Sequence, residues 1–121
     1  MGLSRQVLSL PSQTLTPVND FASISSLASA SLTTVISYTV PAGKTFYLRM
    51  IEFGGGNIAT YDVIIDSIPQ ARRRTYFGGS LSSEFFFDAL TVAAGKVIEL
   101  KVIHGRPMTA DFEGRVLGYL S

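Results

Sequence analysis

The chain has no cysteine and no tryptophan, and His104 is its one histidine among 121 residues. Without cysteine, disulfides and thiolate metal sites are excluded. The same absences argue against an immunoglobulin domain, whose core usually combines a disulfide with a buried tryptophan. No G-x-S-x-G motif accompanies His104, so a serine nucleophile with its base is not indicated. We therefore expect no enzymatic activity and no cofactor.

Charge is also scarce. Charged residues make up 16% of the chain and hydrophobic residues 46%, with a net charge of +1. That balance provides no long-range field for nucleic acid or an anionic membrane, and we expect neither as a partner. No apolar run approaches the roughly 18 residues of a membrane span, and the N-terminus lacks the apolar segment of a signal peptide. A chain with so few charged residues is expected to bury part of its surface by self-association, and we therefore expect an oligomer.

Residues 1–32 differ from the rest and are predicted to form an extended N-terminal arm. They contain eight serines and two charged residues, Arg5 and Asp20. Apolar residues are too frequent here for a disordered tail, which favours docking on the same domain or on a neighbour. The arm residues predicted to make such contacts are Leu8, Leu10, Leu15, Phe21 and Leu27. A free linker and a short helix over 21–28 are the alternatives.

Residues 33–121 read as a single all-β domain. Turn signals with glycine or proline arrive every eight to twelve residues, between segments rich in threonine and β-branched residues. The predicted strands are 33–40, 45–53, 60–66, 71–77, 83–91, 96–104 and 109–119.

A repeat gives the architecture. TVPAGKTFYLRMIEF begins at Thr39 and TVAAGKVIELKVIHG at Thr91, with seven of fifteen positions identical. Alternation predicts one apolar face in each copy. Its residues are Phe46, Leu48 and Met50 in the first copy and Ile98, Leu100 and Val102 in the second. Two equivalent strand–turn–strand units favour a two-sheet β-sandwich that is jelly-roll-like. Chance similarity between two common turns is the alternative.

Arg72, Arg73 and Arg74 form the one run of charge. On a strand, consecutive side chains alternate between faces, so one of the three must point away from the other two. We favour a subunit interface, in which these arginines pair with carboxylates such as Asp62, Asp66 or Glu84. A solvated edge and a nucleic-acid site are the alternatives; the latter usually comes with net basic charge and aromatic platforms.

Phe85, Phe86 and Phe87 are the second candidate for an interface. Phe85 and Phe87 share one face of the predicted strand, and Phe86 lies on the other. Such a strand is either covered on both faces or contacts another subunit. The last strand, with Leu117 and Tyr119 opposite Phe112 and Val116, is apolar on both faces as well.

Two carboxylate pairs share strand faces by spacing, Asp62 with Asp66 and Glu84 with Asp88. Pairs of this kind occur in glycosidase dyads and calcium sites. No Asp-rich loop accompanies them, so we interpret them as parts of solvated faces. His104 is expected at a strand end on the rim of the fold.

Four stretches carry a family resemblance: Val40–Glu52, Arg72–Arg74, Val92–His104 and Ala110–Gly118. In this order they resemble small virion proteins of tailed bacteriophages, over about residues 33–120. The resemblance implies a jelly-roll module that decorates the capsid surface as a cement protein. It also implies a homo-oligomer, often a trimer, whose partner is the major capsid protein or another virion protein. It brings no catalytic, metal or cofactor residues.

The alternative function is a tail or receptor-binding module, or a carbohydrate-binding module, on the same fold. Sugar recognition in a β-sandwich usually needs exposed aromatic side chains. Tyr47, Tyr61 and Tyr76 are the residues from which a platform could be built.

Overall fold

The computed structural model describes residues 14–75 and 79–121, and these residues form strands and turns without a helix. The eight strands are β1 (Thr16–Leu27), β2 (Thr33–Thr39), β3 (Phe46–Gly55), β4 (Thr60–Ile65), β5 (Ile68–Arg74), β6 (Gly79–Val92), β7 (Val97–Ile103) and β8 (Ala110–Leu120). The predicted all-β class is confirmed.

The strands form two four-stranded antiparallel sheets that pack face to face. The front sheet has the order β1-β8-β3-β6 and the back sheet the order β2-β7-β4-β5. Strands pair from the two ends of the chain inward: β1 with β8, β2 with β7, β3 with β6, and β4 with β5. Such an order arises when one long antiparallel hairpin is rolled into two sheets, which is the jelly-roll arrangement.

The sequence repeat marks two of the six places where the chain passes from one sheet to the other. One turn joins β2 to β3 and the other joins β6 to β7. In the first, the Lys44 N–H donates to the Pro41 carbonyl at 3.2 Å, and in the second the Lys96 N–H donates to the Ala93 carbonyl at 3.2 Å. The glycine in the third position of each turn has a positive φ, 75° at Gly43 and 81° at Gly95. A type II turn requires that conformation.

The two turns also bond to each other. The Gly95 N–H donates to the Val40 carbonyl at 2.8 Å, and the Val40 N–H donates to the Lys96 carbonyl at 3.0 Å. The strand pair β2–β7 of the back sheet is therefore joined to the strand pair β3–β6 of the front sheet by two matched turns that lie side by side. That geometry accounts for the same sequence in both places.

The second copy of the repeat packs as predicted, and the first does so only in part. Ile98, Leu100 and Val102 are fully buried in β7. In β3, the pairing shifts between Leu48 and Met50, so a bulge at Arg49 reverses the alternation. Met50 consequently turns outward, and the prediction for it was wrong. A bulge inserts a residue and exchanges the faces of those that follow.

Residues 16–27 of the predicted arm form the edge strand of the front sheet. β1 pairs with β8 from Thr16 opposite Leu120 to Leu27 opposite Ala110. The alternative of a helix over 21–28 is wrong, because backbone pairing with β8 places Phe21 on the outer face and Ile24 on the inner face. Leu8 and Leu10 lie outside the described residues.

Candidate interaction surface

The outer face of the front sheet carries an apolar groove of about 510 Å³, which we call the front groove. It lies at the end of the sheet where β1 begins. Its principal lining residues are Pro17 and Asn19 of β1, Met50 of β3, Phe86 of β6, and Leu117 and Tyr119 of β8. Four strands that are distant in sequence therefore contribute to one surface.

Alternation along β8 sets one wall of the groove. Val116 and Gly118 are buried, so the alternating residues Leu117 and Tyr119 face outward. The other wall comes from β6, where Phe85 turns into the core and Phe86 is left 76% exposed. A strand with this pattern presents apolar side chains on both of its faces.

Irregular pairing shapes the floor of the groove. Between the pairs Leu48 with Leu90 and Met50 with Phe86, residues 87–89 of β6 lie opposite Arg49 alone. Ala89 has a φ of 50°, as expected where extra residues interrupt a ladder. At the same place, the bulge at Arg49 in β3 turns Met50 toward the groove.

Arg49 is the one charged member of the described groove lining. Its guanidinium lies 5.9 Å from the centre of the Tyr119 ring, within reach of a cation–π interaction. The contact holds the tyrosine ring at the wall.

The other half of the front face is polar. Arg115 lies 3.5 Å from Glu52, and its guanidinium lies 5.5 Å from the centre of the Phe21 ring. Glu84 stands directly opposite Glu52 in the ladder. Phe21 is 52% exposed but is partly covered by Arg115. The apolar half of the face is therefore the one suited to bury another protein segment.

Arg72, Arg73 and Arg74 alternate as the sequence predicts, and each has a contact within the chain. Arg72 donates to both Asp62 carboxylate oxygens, at 2.7 and 2.9 Å. That bond and the carboxylate charge raise the pKa of Arg72. Arg73 lies on the core side, 5.4 Å from the centre of the Phe85 ring.

These contacts change the interpretation of the arginine run. Arg74 donates to the Thr60 hydroxyl at 3.4 Å, and Asp66 pairs with Lys96 at 3.0 Å. The predicted pairing of Arg72 with Asp62 is therefore real but occurs between neighbouring strands of one chain. It does not require a second subunit.

The phenylalanine run divides between core and surface. Phe85 is buried and stacks on Phe53, with ring centres 4.9 Å apart. Phe87 is partly buried and packs against the core. Phe86 is the member of the run that is fully available to a partner.

The arm residues within the described part of the chain are also divided. Leu15 is 45% exposed, directly before β1. Leu27 is partly buried and packs against the core of its own chain.

The proposed tyrosine platform does not form. Tyr61 is buried on the inner face of β4, with its ring centre 4.3 Å from that of Phe53, and burial raises the pKa of its phenol. Tyr47 belongs to the front sheet, and Tyr76 lies outside the described residues. Aromatic residues that do share the outer face of the front sheet include Phe86, Tyr119 and Tyr47, which lies directly opposite Tyr119.

His104 is buried and has a structural contact. Its Nε2–H donates to the Leu27 carbonyl at 2.8 Å, and the Ala30 N–H donates to the His104 carbonyl at 2.7 Å. The ring centre lies 5.4 Å from that of Phe112. The predicted position at a strand end is confirmed, since His104 directly follows β7, and it is buried there beside Leu27 and Ala30.

Of the two carboxylate pairs, Asp62 and Asp66 do not share a strand face as their spacing predicts. Asp62 lies on the outer face of β4, whereas Asp66 occupies the turn after that strand. Among residues 14–75 and 79–121, no group of three or more metal-ligating side chains is found. The same residues include no helix long and apolar enough to cross a membrane.

No protein-family model matches the chain, and no curated protein matches its sequence.

Proposed function

We propose that this protein is a structural virion protein, and specifically a capsid cement or decoration protein that stabilises a phage head by docking as an oligomer. A jelly roll is one of the architectures of viral capsid domains, but the same architecture serves lectins and cupins. The observation that carries the proposal is the front groove. It supports a protein whose role is to bind other protein surfaces.

The groove has the composition of an interface core. Interface cores are enriched in aromatic residues and methionine and depleted of charge. Phe86, Tyr119 and Met50 meet that description, with Leu117 beside them. Each fully buried Leu or Phe side chain contributes about 1.5–3 kcal/mol. Three or four such groups would support a stable contact.

The expected assembly is a homotrimer on the capsid surface, with the major capsid protein or another virion protein as its partner. A closed ring repeats one contact several times. When several copies bind the shell together, avidity increases without new contacts. The sequence resemblance to phage virion proteins adds the virion as the place of assembly.

Light scattering coupled to size exclusion tests the oligomer. We expect the chain of 121 residues to elute as a single species of three times 13.0 kDa. Mass spectrometry and immunogold labelling of phage particles from the genome that encodes this chain then test whether the protein is located on the virion. The protein should be found on heads in a fixed ratio to the major capsid protein. A monomer that is absent from the particles would contradict the proposal.

A tail, receptor-binding or carbohydrate-binding module is the second candidate function. The observation in its favour is that Phe86 and Tyr119 are aromatic and lie in one exposed groove. A glycan array tests it, with the single variants Phe86→Ala and Tyr119→Ala as controls. Specific binding that both variants lose would favour this function, and an array without hits would remove its support.

A further inference from the structure

We propose that the front groove of one copy binds residues 3–10 of a neighbouring copy, as an exchanged arm. This inference rests on the proposed function, because it supplies the contact by which the oligomer is held. The segment LSRQVLSL lies within residues 1–13, outside the described part of the chain. Three observations lead to the proposal: the position of the groove beside the start of β1, the direction of β1, and the chemistry of the segment.

The arm begins beside the groove. Thr16, the first residue of β1, pairs with Leu120, and Pro17 pairs with the groove residue Tyr119. β1 then continues past Asn19 along the groove wall. The chain before Thr16 therefore leaves the sheet at the end where the groove lies.

The direction of β1 favours a neighbouring copy over the same chain. The groove residues of β1 follow Thr16, so a chain that continues β1 backward moves off the end of the sheet and away from its own groove. To reach that groove, the segment would have to reverse completely within Pro11–Leu15. A neighbour related by rotation can receive the segment without any reversal.

The length of the segment is sufficient. An extended chain spans about 3.3 Å per residue, so thirteen residues reach roughly 43 Å. The eleven residues of β8, which run the length of the front sheet, span roughly 36 Å on the same basis. Leu8 lies eight residues before Thr16, so an extended chain carries it roughly 26 Å from the start of β1, far enough to reach the near part of an adjacent sandwich.

The chemistry of the segment matches the groove. In an extended conformation, Leu8 and Leu10 share one face because side chains alternate. The segment has one charge, Arg5, which falls on the opposite face. The groove offers Met50, Phe86 and Leu117 and has the volume of pockets that hold small organic ligands. Leu8 and Leu10 are the side chains that enter it.

Cysteine crosslinking tests the exchange directly, since the natural chain has no cysteine. Leu8→Cys and Leu117→Cys chains with different tags are co-expressed and then oxidised. We expect a disulfide-linked species that contains both tags and disappears on reduction. The matched control replaces Leu117→Cys by Ser37→Cys, an exposed position on β2 of the back sheet, and should give little crosslinking.

Three results would overturn the inference. One is a Leu8→Cys, Leu117→Cys double variant that links within a single chain, without a gain in mass. Another is efficient linkage of Leu117→Cys chains to one another, which would mean that two grooves face each other. The third is equal linkage of Leu8→Cys to Ser37→Cys.

A second measurement separates this inference from the proposed function. The variant Leu8→Ser, Leu10→Ser changes no described residue, and we expect it to lose the oligomer while its thermal unfolding remains cooperative. Phe86→Ser should lose the oligomer in the same way, because Phe86 is 76% exposed and contributes little to its own core. If both variants keep the wild-type mass and remain on virions, the exchange is wrong and the virion role stands. If the wild type is a monomer absent from virions, the proposed function is wrong.

Discussion

Gly114 shows how closely the two sheets approach at a single residue. It lies on the inner face of β8, and a Cβ added there would lie 2.5 Å from Cδ2 of Leu100 and 3.3 Å from Cγ2 of Ile36. Both contacts come from the back sheet, so a methyl group at this position would push the two layers apart.

Gly114→Ala should lower the free energy of unfolding by about 1–3 kcal/mol, the usual cost of inserting a methyl group into a packed core. Urea denaturation measures the change. The matched control is Gly105→Ala, since a Cβ at Gly105 meets nothing within 4 Å. Its effect should stay within about 0.5 kcal/mol. Equal effects at the two positions would mean that the sheets do not pack as described.

Tyr61 is a second single residue with a testable effect, because its burial makes the stability of the fold depend on pH. Desolvation by burial, with a smaller contribution from the charge of Glu113, raises the pKa of its phenol. In the unfolded chain, the phenol titrates near its ordinary value of about 10. The protonated phenol therefore contributes the same stability at any pH below about 10. That contribution decreases as the pH rises from there toward the folded-state pKa.

Tyr61→Phe should therefore weaken the alkaline loss of stability, because it removes a group that ionises more readily in the unfolded state. Thermal unfolding between pH 7 and 11.5 measures it, with the wild type losing stability above about pH 10. Tyr47→Phe, on the half-buried outer face of β3, is the control and keeps Tyr61 in place. Parallel pH curves for wild type and Tyr61→Phe would contradict the burial of this phenol.

At the scale of elements, the two paired turns contribute to the free energy of unfolding. Gly43 and Gly95 have φ values of 75° and 81°, where an L-residue with a Cβ costs about 1–2 kcal/mol. Gly43→Ala and Gly95→Ala should each lower the free energy of unfolding by that amount. Because the Gly95 N–H bonds to the Val40 carbonyl beside the first turn, the double variant should be non-additive.

Denaturant unfolding of the two single variants and the double variant completes the cycle. Ala42→Ser is the control, because Ala42 is exposed in the same turn and has no positive φ. Strict additivity would indicate that the two turns act separately and that the repeat has no joint role.

Strands β2 to β4 and β6 to β8 could be predicted because each is bounded by glycine, proline or a short polar turn. β5 was predicted at 71–77 and instead runs over Ile68–Arg74. The matched turns also predicted two equivalent strand entries, and both are connections between the sheets. The one surprise among the turns is the β4–β5 hairpin, where Asp66 and Ser67 both have positive φ and β5 begins at Ile68. Such a two-residue turn usually contains glycine or asparagine, so its sequence gave little signal.

β1 could not be predicted, since its alternation is weak. Its inner face includes Asp20 and Ala22 beside Val18, and its outer face includes serine and asparagine. The helical spacing of Phe21, Ile24 and Leu27 competed with it. Pairing with β8 determines the conformation of β1, and the paired residues lie 83 (Leu27 with Ala110) to 104 (Thr16 with Leu120) residues apart, so no local pattern indicates it.

The front groove was predictable in its parts and not as a whole. Alternation correctly separated Phe86 from Phe85 within β6, and Leu117 with Tyr119 from Val116 within β8. The groove itself depends on the order β1-β8-β3-β6 and on the bulge that turns Met50 outward. Neither the strand order nor a bulge is a property of one segment.

At the scale of the whole molecule, the two outer faces differ. The back sheet presents the charged pair Arg72 with Asp62, and Lys96 with Asp66 lies at its end. The front sheet presents an apolar groove in one half. A contiguous exposed apolar surface usually marks an interaction site. The front face is therefore where association is expected, and burial is expected to drive it.

That difference predicts how assembly responds to salt. At 1 M ionic strength the Debye length falls to about 3 Å, so contacts between exposed charges weaken. Burial of apolar surface is not screened, and sulfate strengthens it. Light scattering near the dissociation midpoint should give the same mass in 0.15 M and 1 M sodium chloride, and a larger mass in ammonium sulfate. Phe86→Ser should be dissociated in both chloride solutions. Dissociation of the wild type by chloride alone would instead assign the interface to charged contacts such as those of the back sheet.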